Sequence, residues 1–86
     1  MLTSELVKAA RGLVRWDQVD LARESGVSIA TIKRLEAKPG PLGAHGPTIA
    51  ALQAALESAG VQFIPENGGG AGVRLAKRDG GLTQEE

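Results

Sequence analysis

The sequence contains no cysteine, which excludes a disulfide framework and any thiolate metal site. The absence also suits a reducing cytoplasm. There is one histidine, His45. Without a second histidine or a cysteine beside it, neither a zinc cluster nor a histidine acid–base relay can be assembled, and His45 reads as a solvated loop residue. Charge of one sign is missing too: ten Lys and Arg balance ten Asp and Glu, and neither residues 1–60 nor residues 61–86 form a basic block. That excludes a protein holding nucleic acid by bulk charge, but not one with a few well-placed cations. No stretch approaches the ~20 apolar residues that cross a membrane. The start, MLTSELVKAARGL, carries Glu5, Lys8 and Arg11 where a secretory leader would be apolar. No internal repeat is visible. The expectation is a soluble, cytoplasmic, single small domain with no cofactor, no metal and no membrane partner, and marginally stable by itself.

What is present is helical periodicity. Leu6, Ala9, Ala10 and Leu13 predict a helix over residues 3–14, capped by Thr3 or Ser4 and weakened near its end by Gly12. A second helix is predicted over 17–25. Asp17 is its N-cap, Asp20 three residues later makes a variant capping box, and Gly26 is its stop. Val19, Leu21 and Ala22 supply its apolar side. A third helix is predicted over 28–37, with Ser28 as cap and Ile29, Ile32 and Leu35 spaced three apart. Only Ser25, Gly26 and Val27 lie between the body of the second helix and the cap of the third, and so short a connection around a glycine forms a helix-turn-helix. Residues 38–47, KPGPLGAHGP, are too rich in Pro and Gly for regular structure. A fourth helix over 48–59, capped by Thr48 and stopped by Gly60, buries Ile49, Leu52, Ala55, Leu56 and Ala59. Beyond Gly60 the period changes to two. Val61–Pro65 and Gly72–Ala76 read as strands of a β-hairpin around the turn at 66–71.

Several residues invite chemical readings that simpler ones displace. Asp17 and Asp20 could pair as catalytic carboxylates, but helix capping accounts for both. GGGAG lacks the Lys-Ser/Thr ending and following helix of a phosphate loop and reads as a hairpin turn. Trp16, just before a helix cap, reads as a hydrophobic staple rather than a base-stacking residue. An enzyme requires a convergent polar cluster, and the sequence offers none.

Residues 11–36, and above all WDQVDLARESGVSIATIKRLEAK, resemble the phage-repressor-like (Xre/Cro type) helix-turn-helix regulators. Gln18, Leu21, Ala22, Gly26, Val27, Ser28, Ile32, Leu35 and Glu36 stand at that family's pattern positions. The ending AGVQFIPENGGGAGVRLAK resembles that of its short one-domain bacterial members. The resemblance implies a mainly α fold: a four-helix lambda-repressor-like domain over 1–60, then a β-hairpin over 61–78 and a flexible tail over 79–86. It implies a transcriptional regulator whose third helix enters the major groove of double-stranded operator DNA. Gln18 would donate to a phosphate beside a helix N-terminus. Ser28, Ile29, Ala30, Thr31, Lys33 and Arg34 would face the bases, Arg34 as a bidentate guanine reader, and Lys38 would hold the backbone. Arg11 and Glu36 would pair and orient the recognition helix. Asp17 stands where the family often has Ser or Thr, and Lys38 where it usually has Gly.

Such regulators bind as two-fold dimers on palindromes, with recognition helices about 34 Å apart. Strand edges seek partners, so Val61, Phe63, Val73 and Leu75 are expected to form an intersubunit sheet. Removing residues 61–86 is expected to leave a folded monomer. The resulting function is a dimeric repressor. The alternative is the DNA-binding antitoxin of a toxin–antitoxin pair, with a toxin as protein partner.

Overall fold

The computed structural model describes residues 2–76. The expected tail over 79–86, and residues 77 and 78 of the expected hairpin, lie outside the described residues. Four helices run in order, α1 Ser4–Val14, α2 Gln18–Ser25, α3 Ile29–Ala37 and α4 Gly46–Ser58. A C-terminal antiparallel hairpin follows, with β1 Val61–Ile64 and β2 Gly72–Leu75. This is the mainly α architecture with a terminal hairpin that the periodicities predict. Among the described residues, no helix is long and apolar enough to cross a membrane.

The helix ends follow local chemistry. The Thr3 hydroxyl accepts the Leu6 amide at 3.1 Å, capping α1. The helix continues through Gly12 and ends two residues later, at Val14. Arg15 takes the left-handed conformation (φ 60°, ψ 38°), the Arg15 amide donates to Gly12 and the Trp16 amide to Arg11, the paired bonds of a Schellman stop. At α2 the capping box is complete. The Asp17 carboxylate accepts the Asp20 amide at 2.8 Å, and the Asp20 carboxylate accepts the Asp17 amide at 3.0 Å. Gly26 then closes α2 at φ 78°, a value that costs glycine nothing. Ser28 caps α3 by accepting the Thr31 amide. Lys38 ends α3 in an extended conformation (φ −106°, ψ 119°). Pro39 follows, and the residue before a proline is driven out of the helical region by its ring. The stop is therefore made by Pro39, not by a glycine at position 38.

Three expectations are corrected. The fourth helix starts at Gly46, two residues before the expected position, and Thr48 is not its cap. His45 occupies the N-cap position without a side-chain hydrogen bond. Pro47 sits in the first turn, where its fixed φ suits the helix and its missing N–H is not needed. On α1 the buried stripe is Ser4, Val7 and Ala10, whereas Ala9 is exposed and Leu13 is 37% exposed. Both stripes have helical spacing and both are apolar, so periodicity did not distinguish them. On α2, likewise, Leu21 is fully buried but Val19 is 54% exposed.

The core gathers Val7 and Ala10 of α1, Leu21 of α2, Ile32 and Leu35 of α3, Leu52, Ala55 and Leu56 of α4, and Val61 of β1. Phe63 and Val73 pack against it from the hairpin. The ladder pairs Val61 with Leu75 and Phe63 with Val73, which places the four on one face. On the other face Arg74 donates to the Gln62 amide oxygen at 2.8 Å. The hairpin rests on α1 and α4, so it draws on the same core as the helices. Val61 of β1 is one of the buried residues of that core. The hairpin is therefore part of the domain's packing and not a separate layer.

The Pro/Gly-rich connection is fixed by the N-terminus. The Ser4 amide donates to the Gly40 carbonyl at 2.9 Å and the Leu42 amide to the Leu2 carbonyl at 3.2 Å. Thr3 and Pro41 form an isolated antiparallel bridge, and Leu2 and Leu42 are buried. The Glu5 carboxylate accepts the Gly40 amide at 3.1 Å. Its own backbone amide and then that of Gly40 hold its carboxyl below the ordinary value of 4.5. A carboxyl lowered in the folded state contributes stability that is complete above its unfolded value and disappears as pH falls through the folded one. Glu5→Gln should thus lower the melting temperature near pH 7, and the gap from the parent should close as the pH drops below about 4.5. Thermal denaturation of both proteins across a pH series measures this, and a gap constant down to acid pH would show that the Glu5–Gly40 contact contributes nothing through its charge.

Candidate nucleic-acid interface

The site is built on the three-residue connection Gly26–Ser28 between α2 and α3. The inner side of α3 is Ile32, Leu35 and Glu36, all buried. The residues Ala30, Lys33, Arg34 and Ala37 are exposed, and their spacing of i, i+3, i+4 and i+7 makes them one helix face. Ser28 and Lys38 are exposed at its two ends, while Ile29 and Thr31 are half-buried at its margin. Of the residues expected to meet DNA, then, Ser28, Ala30, Lys33, Arg34 and Lys38 lie on the open surface. Ile29 and Thr31 are shared between that surface and the body of the domain.

Glu36 is 5% exposed, and a carboxylate so placed requires partners. Arg11 supplies two, with Nε to Oε2 at 2.8 Å and Nη2 to Oε1 at 2.7 Å. This forked geometry is the strongest form of the pair. The bond to Glu36 holds the Arg11 guanidinium charged more firmly than usual. Arg11 Nη1 also donates to the Trp16 carbonyl at 3.0 Å, so one side chain on α1 holds both α3 and the entry to α2. Gln18 completes the group, its Nε2 donating to Glu36 Oε1 at 3.0 Å. The expected Arg11–Glu36 contact is present. The Gln18–Glu36 bond and the Trp16 carbonyl bond were not foreseen. One signal did stand in the sequence: Glu36 continues the 29-32-36 inner stripe of α3, where a charge must be neutralised.

Glu36 is the only acidic residue of α3, and it points inward. Among the described residues the ion pairs are Arg11–Glu36, Arg23–Asp20 and Arg23–Glu24. Lys33, Arg34 and Lys38 belong to none of them, so the outer face of α3 carries positive charge alone. Thr31 and Arg34 of α3 line a cleft whose other side is formed by Leu42, His45 and Thr48. His45 is thus an exposed residue at a helix entry, facing the same space as Arg34. Of the hairpin residues, Val61 is buried, Phe63 and Val73 are half-buried, and Leu75 is 53% exposed. No group of three metal-ligating side chains occurs among the described residues.

Removing one partner of a buried pair leaves the other desolvated and unpaired, at a cost of about 3–5 kcal/mol. Glu36→Ala should approach the lower end of that range, because Arg11 keeps 18% side-chain exposure and its bond to Trp16. Urea unfolding should give a smaller loss for Arg11→Met with Glu36→Leu together than the sum of the two singles. Additive losses would mean that the pair is not coupled. No protein-family model matches this chain, and no curated protein matches it.

Proposed function

We propose that the chain is a sequence-specific DNA-binding transcriptional regulator that inserts α3 into the major groove. The observation that carries the reading is the charge distribution of α3. Its only acid is turned inward and neutralised by Arg11, while Lys33, Arg34 and Lys38 stand on the outside. In a chain of zero net charge, this one-sided arrangement supplies the local positive surface that a phosphate-flanked groove requires. Arg34, in the middle of the exposed face, is the residue to read a guanine edge by two hydrogen bonds. Ala30 and the Thr31 methyl would meet a thymine methyl in this reading. Ser28 at one end and Lys38 at the other are placed to engage the sugar-phosphate strands, which fix register without carrying sequence.

The protein acts in this reading as a dimer on a palindromic site, repressing transcription by occupying the promoter. Support comes from the hairpin, a two-stranded sheet with outer strand edges and an apolar side chain, Leu75, left 53% exposed at the end of β2. Val61, Phe63 and Val73 are engaged with the chain's own core, so contacts between subunits fall to the strand edge and Leu75.

A binding titration against the DNA upstream of its own gene tests the function. Tight, salt-dependent binding to one palindrome is expected, and Arg34→Ala should weaken it by about 1–3 kcal/mol, roughly 5- to 150-fold, and relax preference at one base pair. Binding no tighter than to random duplex, with Arg34→Ala indistinguishable from the parent, would refute the assignment. Leu75→Asp should convert the dimer to a folded monomer in sedimentation analysis, and a dimer that persists would remove the hairpin from the interface.

A further inference from the structure

α2 and α3 are joined twice, at one end by the chain and at the other by a side chain. The connection Gly26–Ser28 ties the end of α2 to the start of α3. At the open ends stand Gln18, the first residue of α2, and Glu36, the last but one of α3. The Gln18 Nε2 donates to Glu36 Oε1 at 3.0 Å. Among the described residues it is the one side-chain hydrogen bond between the two helices. Two rods hinged at a turn keep a soft angle until their far ends are tied. Burial of Leu21, Ile32 and Leu35 holds the helices together, but apolar burial is non-directional. A hydrogen bond needs both distance and alignment.

The chemistry of the two partners suits a tie. An ionised carboxylate only accepts, so the amide nitrogen must face it, and a charged acceptor makes the bond stronger than one between neutral groups. Glu36 is buried and its charge is already balanced by Arg11, so what Oε1 still takes is a neutral donor. Gln18 is half-buried, unlike the exposed Asp17 before it, and its nitrogen is engaged with the protein. When such a pair of helices docks on DNA, the first crosses the phosphate backbone and the second enters the major groove. The angle between them then sets the tilt of α3 against the base pairs. A two-bond contact from Arg34 to guanine depends on that tilt, whereas a lysine meets a phosphate as a point charge.

We propose that Gln18 is a positioning residue for base reading. It fixes the angle between α2 and α3 through Glu36, and so governs discrimination between sequences but not general affinity for DNA. The inference rests on the DNA-binding reading and takes the place of the phosphate contact expected of Gln18.

The test starts from the duplex site that the full chain enriches out of a random-sequence DNA pool. Fluorescence anisotropy then compares the parent, Gln18→Met and Gln18→Asn on that site and on random-sequence duplex, over a salt series and at a temperature where circular dichroism shows all three folded. Met keeps the length and helix preference without a donor, and Asn keeps the amide one methylene short. Arg11 stays on Glu36 in both, so neither leaves the carboxylate unpaired. Each variant should lower the preference for the enriched site by at least about fivefold, the smaller value of one bidentate base contact. Random-duplex affinity and its salt slope should stay parental. Equal losses on both duplexes, the pattern of a backbone contact or of lost stability, would overturn the proposal, and so would parental preference in both variants. A parent chain that enriches no site would overturn the DNA-binding reading and the proposal with it.

Discussion

The buried carboxylate of Glu36 sets the geometry of everything around it. A charge 5% exposed in the middle of three helices is tolerable only if nearly every lone pair is engaged. Arg11 from α1 and Gln18 from α2 meet that demand together. The requirement is directional, because hydrogen bonds need both distance and angle. Apolar packing of Leu21, Ile32 and Leu35 brings the helices together, yet such contacts are indifferent to small rotations. The forked bond to Arg11 is not, and it fixes how far α3 is turned about its axis.

That rotation decides which residues of α3 reach the surface. With Glu36 held inward, Ile32 and Leu35 follow it into the core and Lys33 and Arg34 are carried outward. The same constraint reaches the α1–α2 turn through the bond from Arg11 to the Trp16 carbonyl. Orientation and surface charge therefore have one cause. Whether the pair adds net stability is a separate matter, since desolvation offsets much of its attraction. What its forked geometry supplies is a directional contact between α1 and α3.

At the opposite end, the chain solves a different problem. The connection after α3 holds Pro39, Gly40, Pro41 and Gly43 and has little local preference for any one path. Its path is set by residues 2–5, through main-chain pairing with Gly40 and Leu42 and the Glu5 carboxylate. Buried Leu2 and Leu42 close this strap over the core. Lys38, which leads into the connection, is positioned as much by the N-terminus as by its own helix.

The sequence by itself determined the number and order of elements, because caps, stops and periodicities act within a few residues. Thr3, the Asp17–Asp20 box, Gly26, Ser28 and Gly60 are all short-range signals, and the structure places each at an element boundary. The existence of the Arg11–Glu36 contact was legible through family resemblance alone. What only the tertiary structure decided depends on groups distant in sequence. Val7 rather than Leu13 faces inward on α1 because of what α3 and the hairpin present to it. Gln18 turns to Glu36, eighteen residues away, where sequence reading sent it outward. The hairpin residue Val61 is buried in the chain's own core, where β1 packs against α4. A local pattern specifies that an apolar or polar group wants a partner; which partner it finds is settled when helices from distant parts of the chain compete for the same volume.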